Sequence, residues 1–403
     1  MAAAAPDTLS VAIVGGGIGG LAAAAFLHRA GLNCTVYEQA PQLTEIGAGL
    51  VVAPNAARLL RRLGALEEFA IRAVQLEVGF EFRRWEDGTV LSAEDLSAAC
   101  EQLYGEHTYT AHRADLLDVI KSVVPPGCLR LGEQCVGVLT SQSRPTLRFA
   151  DGTTVETDVV IGADGMHSVV RGAVTNPSPA IDSGISAFRA LVPADRASDF
   201  VRRRAQTIWV GPGHHLVHYP VSAGKFVNLV AFAPAAEDAV ESWTATATME
   251  EFLAEFAGWD DRLADLISAA GTIGRWALLD RPPLRRWSRG CVTLLGDAAH
   301  PMFPFFAQGA AQAIEDAALL ARCLADGLDD PAAALRRYET LRLPRTSQIQ
   351  RVSHARSRIN HLPDGPLQRQ RDLSFSTANP LVDNGWIYGY DPDTDMAGLP
   401  GSP

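Results

Sequence analysis

The feature that most constrains the fold of this chain is residues 9–29, where an apolar run leads into clustered glycines and then into an alanine-rich segment. β-Branched residues followed by glycines and then by good helix formers predict a strand, a tight turn and a helix. Gly15, Gly17 and Gly20 match the G-x-G-x-x-G spacing, which permits the turn, the approach of the backbone to a pyrophosphate, and close packing of helix on strand. The stretch therefore predicts a dinucleotide-binding α/β unit whose helix N-terminus holds the phosphates.

A second apolar strand, residues 34–37, ends in Glu38, where an acceptor for a ribose 2′-hydroxyl is expected about 20 residues after the glycines. Residues 9–27 are also long enough to suggest a membrane span or a signal peptide. They contain five glycines and lack a basic flank, so we retain neither interpretation. This pattern predicts an adenine dinucleotide and leaves NAD and FAD equally open.

Composition limits the class of protein. A chain of 403 residues is long enough for two or three domains, or for one large α/β unit with an inserted layer. The formal net charge of -11 argues against nucleic acid or an anionic membrane as the main partner. The six cysteines are scattered without a C-x-x-C pair, which is typical of reduced thiols in a cytoplasm and indicates neither a metal site nor a disulfide framework.

The sequence predicts that the chain leaves the nucleotide-binding layer twice. Residues 76–98 alternate as short strands around an Asp87-Gly88 turn, and the run from Ile185 to Phe232 contains several strands, followed by helical periodicity from Met249 to Ile267. A long polar helix, interrupted near Pro344, is expected after residue 330. The predicted nucleotide-binding parts are 1–75, 99–180 and 281–330, the predicted substrate-domain parts are 76–98 and 181–280, and the C-terminal helix and tail are 331–403.

Three ordered motifs resemble the fingerprints of the single-component flavoprotein aromatic hydroxylases. They are Gly15-x-Gly17-x-x-Gly20, Gly162-Ala163-Asp164-Gly165-x-x-Ser168-x-x-Arg171, and Gly296-Asp297-Ala298-Ala299-His300-Pro301. Five further stretches are similar to the branch that contains salicylate, 3-hydroxybenzoate and 6-hydroxynicotinate hydroxylases. These are residues 45–55, 112–116, 308–316, 338–345 and 386–391.

The resemblance implies a Rossmann-like FAD-binding domain with a parallel sheet, an antiparallel-sheet substrate domain and a C-terminal helix. It implies non-covalent FAD, with NADH or NADPH as co-substrate and no separate dinucleotide fold for it. The expected activity is monooxygenation of a small phenolic or hydroxy-heteroaromatic ring by O2 through a flavin hydroperoxide, with or without decarboxylation, in a monomer or homodimer. Two alternatives stay open: a flavin reductase or dehydrogenase that inserts no oxygen, and a non-enzymatic flavin-binding module.

The same resemblance assigns cofactor-binding residues beyond the glycine loop. They are Glu38 at the adenosine ribose with Gln39 beside it, Val136 at adenine, Arg113 and Asp297 near the ribityl-pyrophosphate, and Asp164 in the motif shared by FAD and NAD(P)H. A helix that begins at Gly309-Ala310-Ala311 would also direct unpaired N–H groups at the negative charge of reduced flavin. An ordinary buried helix is the alternative interpretation of that segment.

A general base is expected near the substrate, because hydroxylation is faster when the ring hydroxyl is deprotonated. Alternation along residues 214–219 places His215 and Tyr219 on one face of a strand and His214 and His218 on the other. His214 and His218 would lie roughly 13 Å apart on an extended strand, which disfavours a metal site. The branch carries a similar His/Tyr pair, so His215 is the candidate base and Tyr219 its hydrogen-bonding partner; two structural strand residues are the alternative.

Four further residues are candidates for substrate binding. Phe303 and Phe305 follow the Gly-Asp turn and can line a dry chamber, although apolar residues serve equally well as core. Arg189 can pair with a substrate carboxylate or with an acid on a neighbouring strand. Val51 and Phe305 stand where some relatives have polar residues, which favours a larger or more apolar phenolic ring.

Overall fold

The computed structural model describes residues 9–43, 49–140, 144–176, 179–235 and 245–397, with side chains as far as residue 394. Within these residues the strands are β1 (Ser10–Val14), β2 (Asn33–Glu38), β3 (Gly49–Val52), β4 (Val74–Gln75), β5 (Val78–Arg84), β6 (Val90–Asp95), β7 (Tyr109–His112), β8 (Leu129–Leu131), β9 (Cys135–Leu139), β10 (Thr146–Phe149), β11 (Thr154–Glu156), β12 (Val159–Gly162), β13 (Ile181–Pro193), β14 (Ala205–Gly211), β15 (His214–Val221), β16 (Phe226–Pro234), β17 (Thr246–Ala247), β18 (Ile273–Asp280), β19 (Ser288–Arg289) and β20 (Val292–Leu294).

The α-helices lie mostly between these strands and after them. They are α1 (Ile18–Arg29), α2 (Pro54–Leu63), α3 (Leu66–Arg72), α4 (Ala99–Tyr104), α5 (Arg113–Ser122), α6 (Arg171–Val174), α7 (Met249–Glu255), α8 (Asp261–Ser268), α9 (Gly309–Asp326), α10 (Pro331–Asn360), α11 (Pro366–Thr377), α12 (Pro380–Asp383), α13 (Gly385–Tyr388) and α14 (Pro392–Ala397).

The first sheet has the strand order β19-β20-β12-β1-β2-β8, and its pairs are parallel except for the edge pair of β19 and β20. Its central strands are continuous apolar runs because helices cover both faces of a parallel sheet. Helices α1 and α9 pack against each other on it. The carboxyl ends of β1, β12 and β20 therefore meet at one edge, where the three glycine-containing turns follow them.

The second sheet has the order β17-β18-β13-β16-β15-β14-β5-β6 and is antiparallel except for the pair of β14 and β5. One face carries Phe188, Trp209 and Leu216 and packs on α7 and α8. The opposite face carries His215, Val217 and Tyr219 and points towards the first sheet. The predicted fold class, a parallel-sheet dinucleotide-binding region with an antiparallel sheet and C-terminal helices, is confirmed.

Two predicted helices differ from the structure. The helical periodicity from Met249 to Ile267 resolves into α7 and α8, separated where Gly258 takes a left-handed φ of +81°. The predicted interruption near Pro344 is wrong, because α10 runs through it. Proline removes one N–H group from a helix, and buried ion pairs of the flanking Arg342 and Arg345 hold the helix on both sides of that position.

The pairing of β5 and β6 with β14 places residues 78–95 in the same sheet as the strands of residues 181–280. We keep the six-part division of the chain as a proposal. Of the stretch 45–55, residues 45–48 lie outside the described residues. None of the described helices is both long and apolar enough to cross a lipid bilayer.

Candidate active site

The glycine loop between β1 and α1 has the geometry that a pyrophosphate needs. Gly15 has a φ of +106°, and a Cβ on it would lie 2.4 Å from the carbonyl oxygen of Ala163. A Cβ on Gly20 would lie 1.9 Å from the carbonyl oxygen of Gly15, so helix and strand pack too closely for a side chain there. Gly17, which directly precedes α1, would meet nothing within 4 Å. Two of the glycines thus close the turn, and the third leaves open space at the helix N-terminus.

Glu38 is held directly beside this loop. Its carboxylate accepts hydrogen bonds from the backbone N–H groups of Gly16, at 2.6 Å, and Ala40, at 2.8 Å. Gln39 is exposed next to it, and Val136 is exposed on β9. These positions suit the sugar and base of an adenosine, and their assignment to the cofactor stays a prediction.

Asp164, in the turn after β12, organises its own loop. Its carboxylate accepts hydrogen bonds from the Ser168 hydroxyl, at 2.6 Å, and from the N–H groups of Val169 and Val170, at 2.7 and 3.1 Å. Burial raises the pKa of Asp164, and these hydrogen bonds oppose the rise. Asp164 therefore holds the shape of its own loop, and its role in the shared cofactor motif stays a prediction.

Arg171 joins the second and third glycine turns. Its guanidinium donates to the carbonyl oxygens of Ala298, at 2.8 Å, Met166, at 2.8 Å, and Asp297, at 3.0 Å. Burial lowers the pKa of Arg171 to about 10, so it stays charged at neutral pH. The carboxylate of Asp297 is left exposed at the edge of the sheet. Two segments more than 120 residues apart are thereby fixed relative to each other.

The first turn of α9 contains Gly309, Ala310 and Ala311 and carries no acidic residue. Gln308 at the N-cap makes no side-chain capping bond, so the first N–H groups of this helix lack a side-chain acceptor among the described residues. The preceding Ala307 takes a left-handed φ of +51°, which makes the sharp entry into the helix. This arrangement suits an anionic group, and the assignment of these residues to the cofactor stays a prediction.

A buried network that the sequence motifs did not explain lies behind this helix start. Arg342 donates to Asp316 at 2.7 Å and to Glu315 at 2.6 Å, and all three side chains are fully buried. His300 meets the second oxygen of Asp316 at 2.5 Å, and Asn55 donates to Glu315 at 2.6 Å. Although burial opposes it, His300 and Arg342 hold the pKa of Asp316 down at about 2. The network couples α9 to α10 and to the third glycine turn.

The structure places the four strand residues on the two faces that alternation predicts. His214 turns to Glu255, with its Nε2 3.1 Å from a carboxylate oxygen, and His218 accepts a hydrogen bond from the indole of Trp209 at 3.2 Å. No group of three or more His, Cys, Asp or Glu side chains within the described ranges has the arrangement of a metal site.

His215 lies on the opposite face in an aromatic setting. Its ring stacks on Phe232, with centroids 4.4 Å apart, and meets Phe305 edge-on at 4.9 Å. Its Nδ1 lies 2.6 Å from Nε2 of His361 at the end of α10, a partner that the sequence did not predict. Burial lowers the pKa of His215 well below its ordinary value, so the imidazole is neutral at physiological pH.

Tyr219 and Arg189 lie farther along the same sheet face. Burial raises the pKa of Tyr219 even though the nearby positive charge of Arg189 opposes it. The Arg189 guanidinium lies over the ring of Trp276 at 4.5 Å. Burial lowers its pKa to about 10; Tyr219 opposes this, and the positive charge of Arg113 adds to it. Among the described residues no carboxylate pairs with Arg189, so an acid on a neighbouring strand is not its partner.

Apolar side chains pack near these groups. Phe303 and Phe305 form one cluster with Phe232 and Leu278. The backbone N–H of Gly49, at the start of the strand that carries Val51, donates to the amide oxygen of Asn228 at 2.7 Å and ties that strand to the second sheet.

A cavity of about 10 Å³, room for one water molecule, lies beside Val51 and the start of α9. Its wall includes Phe80, Phe306 and the carboxyl group of Glu94. The buried Glu94 carboxyl accepts from the Asn384 amide at 3.0 Å and the Tyr388 hydroxyl at 3.3 Å. Burial raises its pKa to about 7, and these hydrogen bonds oppose the rise. The acid thus links the C-terminal segment to β6.

Glu94→Gln is expected to stabilise the protein at pH 8. Because the folded-state pKa of about 7 exceeds the ordinary 4.5, the contribution of Glu94 to stability is present below pH 4.5 and is lost as the pH rises through 7. Urea unfolding should show a gain of about 1–3 kcal/mol at pH 8 and little change at pH 5. Glu81→Gln is the control with the opposite sign, since Arg203 and Arg83 hold that pKa at about 2 against burial. A destabilised Glu94→Gln protein at pH 8 would contradict this account.

These features define the class of the protein. Three features meet at one edge of a parallel sheet. They are a glycine loop in which two positions exclude a Cβ, two helix N-termini without a side-chain cap, and a third turn. Phe232, Phe303 and Phe305 pack around a neutral histidine, on a face of the second sheet that also carries a tyrosine and an arginine, and the predicted substrate chamber would form here. The class is that of the dinucleotide-dependent enzymes that enclose a small substrate beside the cofactor.

The comparison with known proteins identifies the family. The model of the FAD binding domain family matches residues 8–353, and the chain belongs to this family of aromatic monooxygenases. It is 46% identical over 384 residues to 3-amino-4-hydroxybenzoate 2-monooxygenase of Streptomyces platensis, covering 94% of this chain and 96% of that one. It is 37% identical over 359 residues to 6-hydroxynicotinate 3-monooxygenase of Bordetella bronchiseptica, covering 88% and 93%. A solved salicylate hydroxylase substrate complex is 26% identical, with a TM-score of 0.82 over 97% of this chain and 98% of that one.

The protein is therefore an FAD-dependent aromatic monooxygenase that uses NADH or NADPH as co-substrate, and its partners are a small aromatic compound and O2. The residues present fit the cofactor: Gly17 leaves space where its pyrophosphate would lie, and Glu38 is held beside the glycine loop, where its ribose would lie. The two alternatives, a reductase without oxygen insertion and a non-enzymatic flavin-binding module, are not favoured by these relatives.

Proposed function

We propose that this enzyme hydroxylates a small hydroxybenzoate, with 3-amino-4-hydroxybenzoate as the first candidate. The observation that carries the proposal is Arg189, a partly buried cation that lies on the sheet face that carries His215 and has no carboxylate partner among the described residues. A buried charge is costly unless it is paired, and a substrate carboxylate supplies the missing charge. The 46% identical relative acts, by its name, on a carboxylated ring. We place this ring ahead of the larger, more apolar phenol that Val51 and Phe305 suggested.

The residues of the chain divide the work between binding, orientation and proton removal. FAD, held by the glycine loop, Glu38, Gln39, Arg113, Val136, Asp164, Asp297 and the start of α9, supplies the chemistry that takes electrons from NAD(P)H and activates O2. Arg189 binds the carboxylate, and Phe303, Phe305 and Val51 exclude water from the ring. Tyr219 hydrogen-bonds to the substrate, and neutral His215 takes the proton of the ring hydroxyl at Nε2.

The first experiment is a substrate test with the purified holoenzyme. NADH or NADPH oxidation and O2 uptake should rise together on addition of 3-amino-4-hydroxybenzoate, and mass spectrometry should show a product heavier by one oxygen atom. Oxidation of NADH without a hydroxylated product from any hydroxybenzoate would contradict the proposed substrate class. A parallel assay with larger apolar phenols tests the expectation, drawn from Val51 and Phe305, that the substrate is a larger or more apolar ring.

His215→Ala is expected to keep FAD bound and to slow hydroxylation about a hundredfold at pH 6–7, the lower end of the contribution of a general base. The loss should be greatest at low pH, because a phenol ionises by itself as the pH approaches its own pKa of about 10. Single-turnover product formation from pH 6 to 9 measures the effect. His218→Ala, from the opposite face, is a control for the loss of a buried histidine. An unchanged rate and pH profile would remove His215 from the role of base.

We also propose a cytoplasmic protein that is a monomer or a homodimer. All six cysteines are free thiols, including Cys34 and Cys128, whose sulfur atoms lie 3.5 Å apart. Cysteines without a disulfide framework are typical of a reducing compartment. Light scattering of the purified protein measures the oligomeric state.

A further inference from the structure

His361 connects the buried histidine of the chamber to the surface. His215 is 1% exposed, whereas His361, at the C-terminal end of α10, is only partly buried. Their ring nitrogens, Nδ1 of His215 and Nε2 of His361, are 2.6 Å apart. The carbonyl oxygen of His361 also accepts from the N–H of Gly213 at 3.1 Å, directly before β15. Both the backbone and the ring of His361 are therefore fixed relative to the strand that carries His215.

A hydrogen bond between two neutral imidazoles sets which nitrogen of each ring carries the proton. If Nδ1–H of His215 donates to Nε2 of His361, then Nε2 of His215 has a free lone pair and can accept a proton. If the bond ran the other way, Nε2 of His215 would carry a hydrogen and could not act as a base. The partner of Nδ1 thus decides whether His215 is a base.

We propose that His361 is a positioning and proton-relay residue for His215, an inference that rests on the proposed function. In the relay the substrate O–H bond breaks and an N–H bond forms at Nε2 of His215. The Nδ1–H proton of His215 moves to Nε2 of His361, and His361 releases a proton from Nδ1 to water. One proton leaves the substrate and one reaches solvent, with no change in electron count. The phenolate therefore keeps its negative charge in the chamber, and neither histidine is left as a buried cation.

The surroundings of the pair favour transfer in this direction. Phe232 and Phe305 pack against the His215 ring, so a protonated His215 would be poorly solvated. His214, the other titratable group that the pair senses, lies on the opposite face of the strand and meets Glu255. Burial lowers the pKa of His361 to about 4, so its ring is neutral at physiological pH and does not stay protonated after it has received a proton.

The test compares His361→Phe and His361→Gln with the wild-type holoenzyme, using 3-amino-4-hydroxybenzoate. The readouts are the absorbance of the bound phenolate, proton release measured with a pH indicator in stopped flow, and the pH profile of product formation. His361→Phe should slow proton release and hydroxylation at pH 7 about tenfold, while flavin reduction by NADH stays within twofold. His361→Gln accepts the Nδ1–H bond without passing a proton on, so it should restore the pH profile of product formation but leave proton release slow.

His214→Gln is the matched control, because it removes the neighbouring histidine of the same strand from the opposite face. Proton release from the His361→Gln enzyme that is as fast as from the wild type would overturn the relay. This measurement tests the relay even if the His361→Phe protein does not fold. A pH profile of His361→Phe identical to that of the wild type would overturn the positioning role. A wild-type enzyme that hydroxylates no hydroxybenzoate contradicts the proposed function itself, which distinguishes the two failures.

Discussion

Arg189→Met is expected to raise the dissociation constant of 3-amino-4-hydroxybenzoate by about two to three orders of magnitude. Loss of one partner of a buried, hydrogen-bonded charge pair costs about 2–5 kcal/mol, and each 1.4 kcal/mol is about tenfold in affinity. Methionine keeps an unbranched apolar side chain, so the change removes the charged guanidinium together with its contact with Trp276. Flavin fluorescence or absorbance titration of the oxidised holoenzyme measures the constant directly.

Two comparisons isolate the charge of Arg189. Arg275→Met changes a guanidinium that lies over Phe188, 4.7 Å from the ring, on the opposite face of the same sheet, and it should leave substrate affinity unchanged. With 2-aminophenol, which lacks the carboxylate, the wild type and Arg189→Met should bind within a few-fold of each other. Equal losses for both ligands would show that Arg189 supports the chamber and does not bind a carboxylate.

Arg342→Met is expected to lower the free energy of unfolding by about 3–5 kcal/mol, because it removes the buried cation that Glu315 and Asp316 share. Glu315 keeps Arg345 at 2.8 Å and Asp316 keeps His300 at 2.5 Å, so the protein should still fold at low temperature. Because Asp316 also accepts the N–H of Gly296 at 2.9 Å, FAD affinity should fall as well. Urea unfolding of the FAD-free protein and FAD titration measure the two effects separately.

Arg322→Met on α9 is the control, since its ion pair with Asp326 at 2.9 Å is exposed and a pair of this kind contributes about 0–1 kcal/mol. The double variant Arg342→Met/Glu315→Gln should recover part of the loss, because it removes one of the two carboxylates that lose Arg342. A destabilisation of Arg342→Met no larger than that of Arg322→Met would contradict the importance of the network.

The sequence predicts those parts of the fold that depend on residues close together in the chain. The G-x-G-x-x-G turn follows from glycines that must lack a Cβ, and alternation alone separates His215 and Tyr219 from His214 and His218. These are consequences of backbone geometry within one strand or one turn. The predicted interruption at Pro344 was wrong because it was based on the proline alone. The ion pairs that keep the helix continuous are made with another helix.

The contacts that complete the site join residues distant in sequence. Arg171 reaches carbonyl groups about 126 residues away, and His361 meets His215 across 146 residues. No periodicity encodes such pairs. One sequence signal could have identified Arg342. It lies at helical spacing with Tyr338 and Ile349 on the buried face of the helix, where an unpaired arginine would be costly.

The order of strands in the first sheet has a consequence for how the protein is made. Strand β1 needs β12, almost 150 residues later, and β12 in turn needs β20, so the cofactor edge cannot exist until nearly 300 residues have left the ribosome. Pairings this distant make folding slow and expose apolar strands meanwhile. We therefore expect the N-terminal segments to remain unpaired during much of synthesis, when they need protection from aggregation. We expect FAD to bind only after the last of these strands has been made.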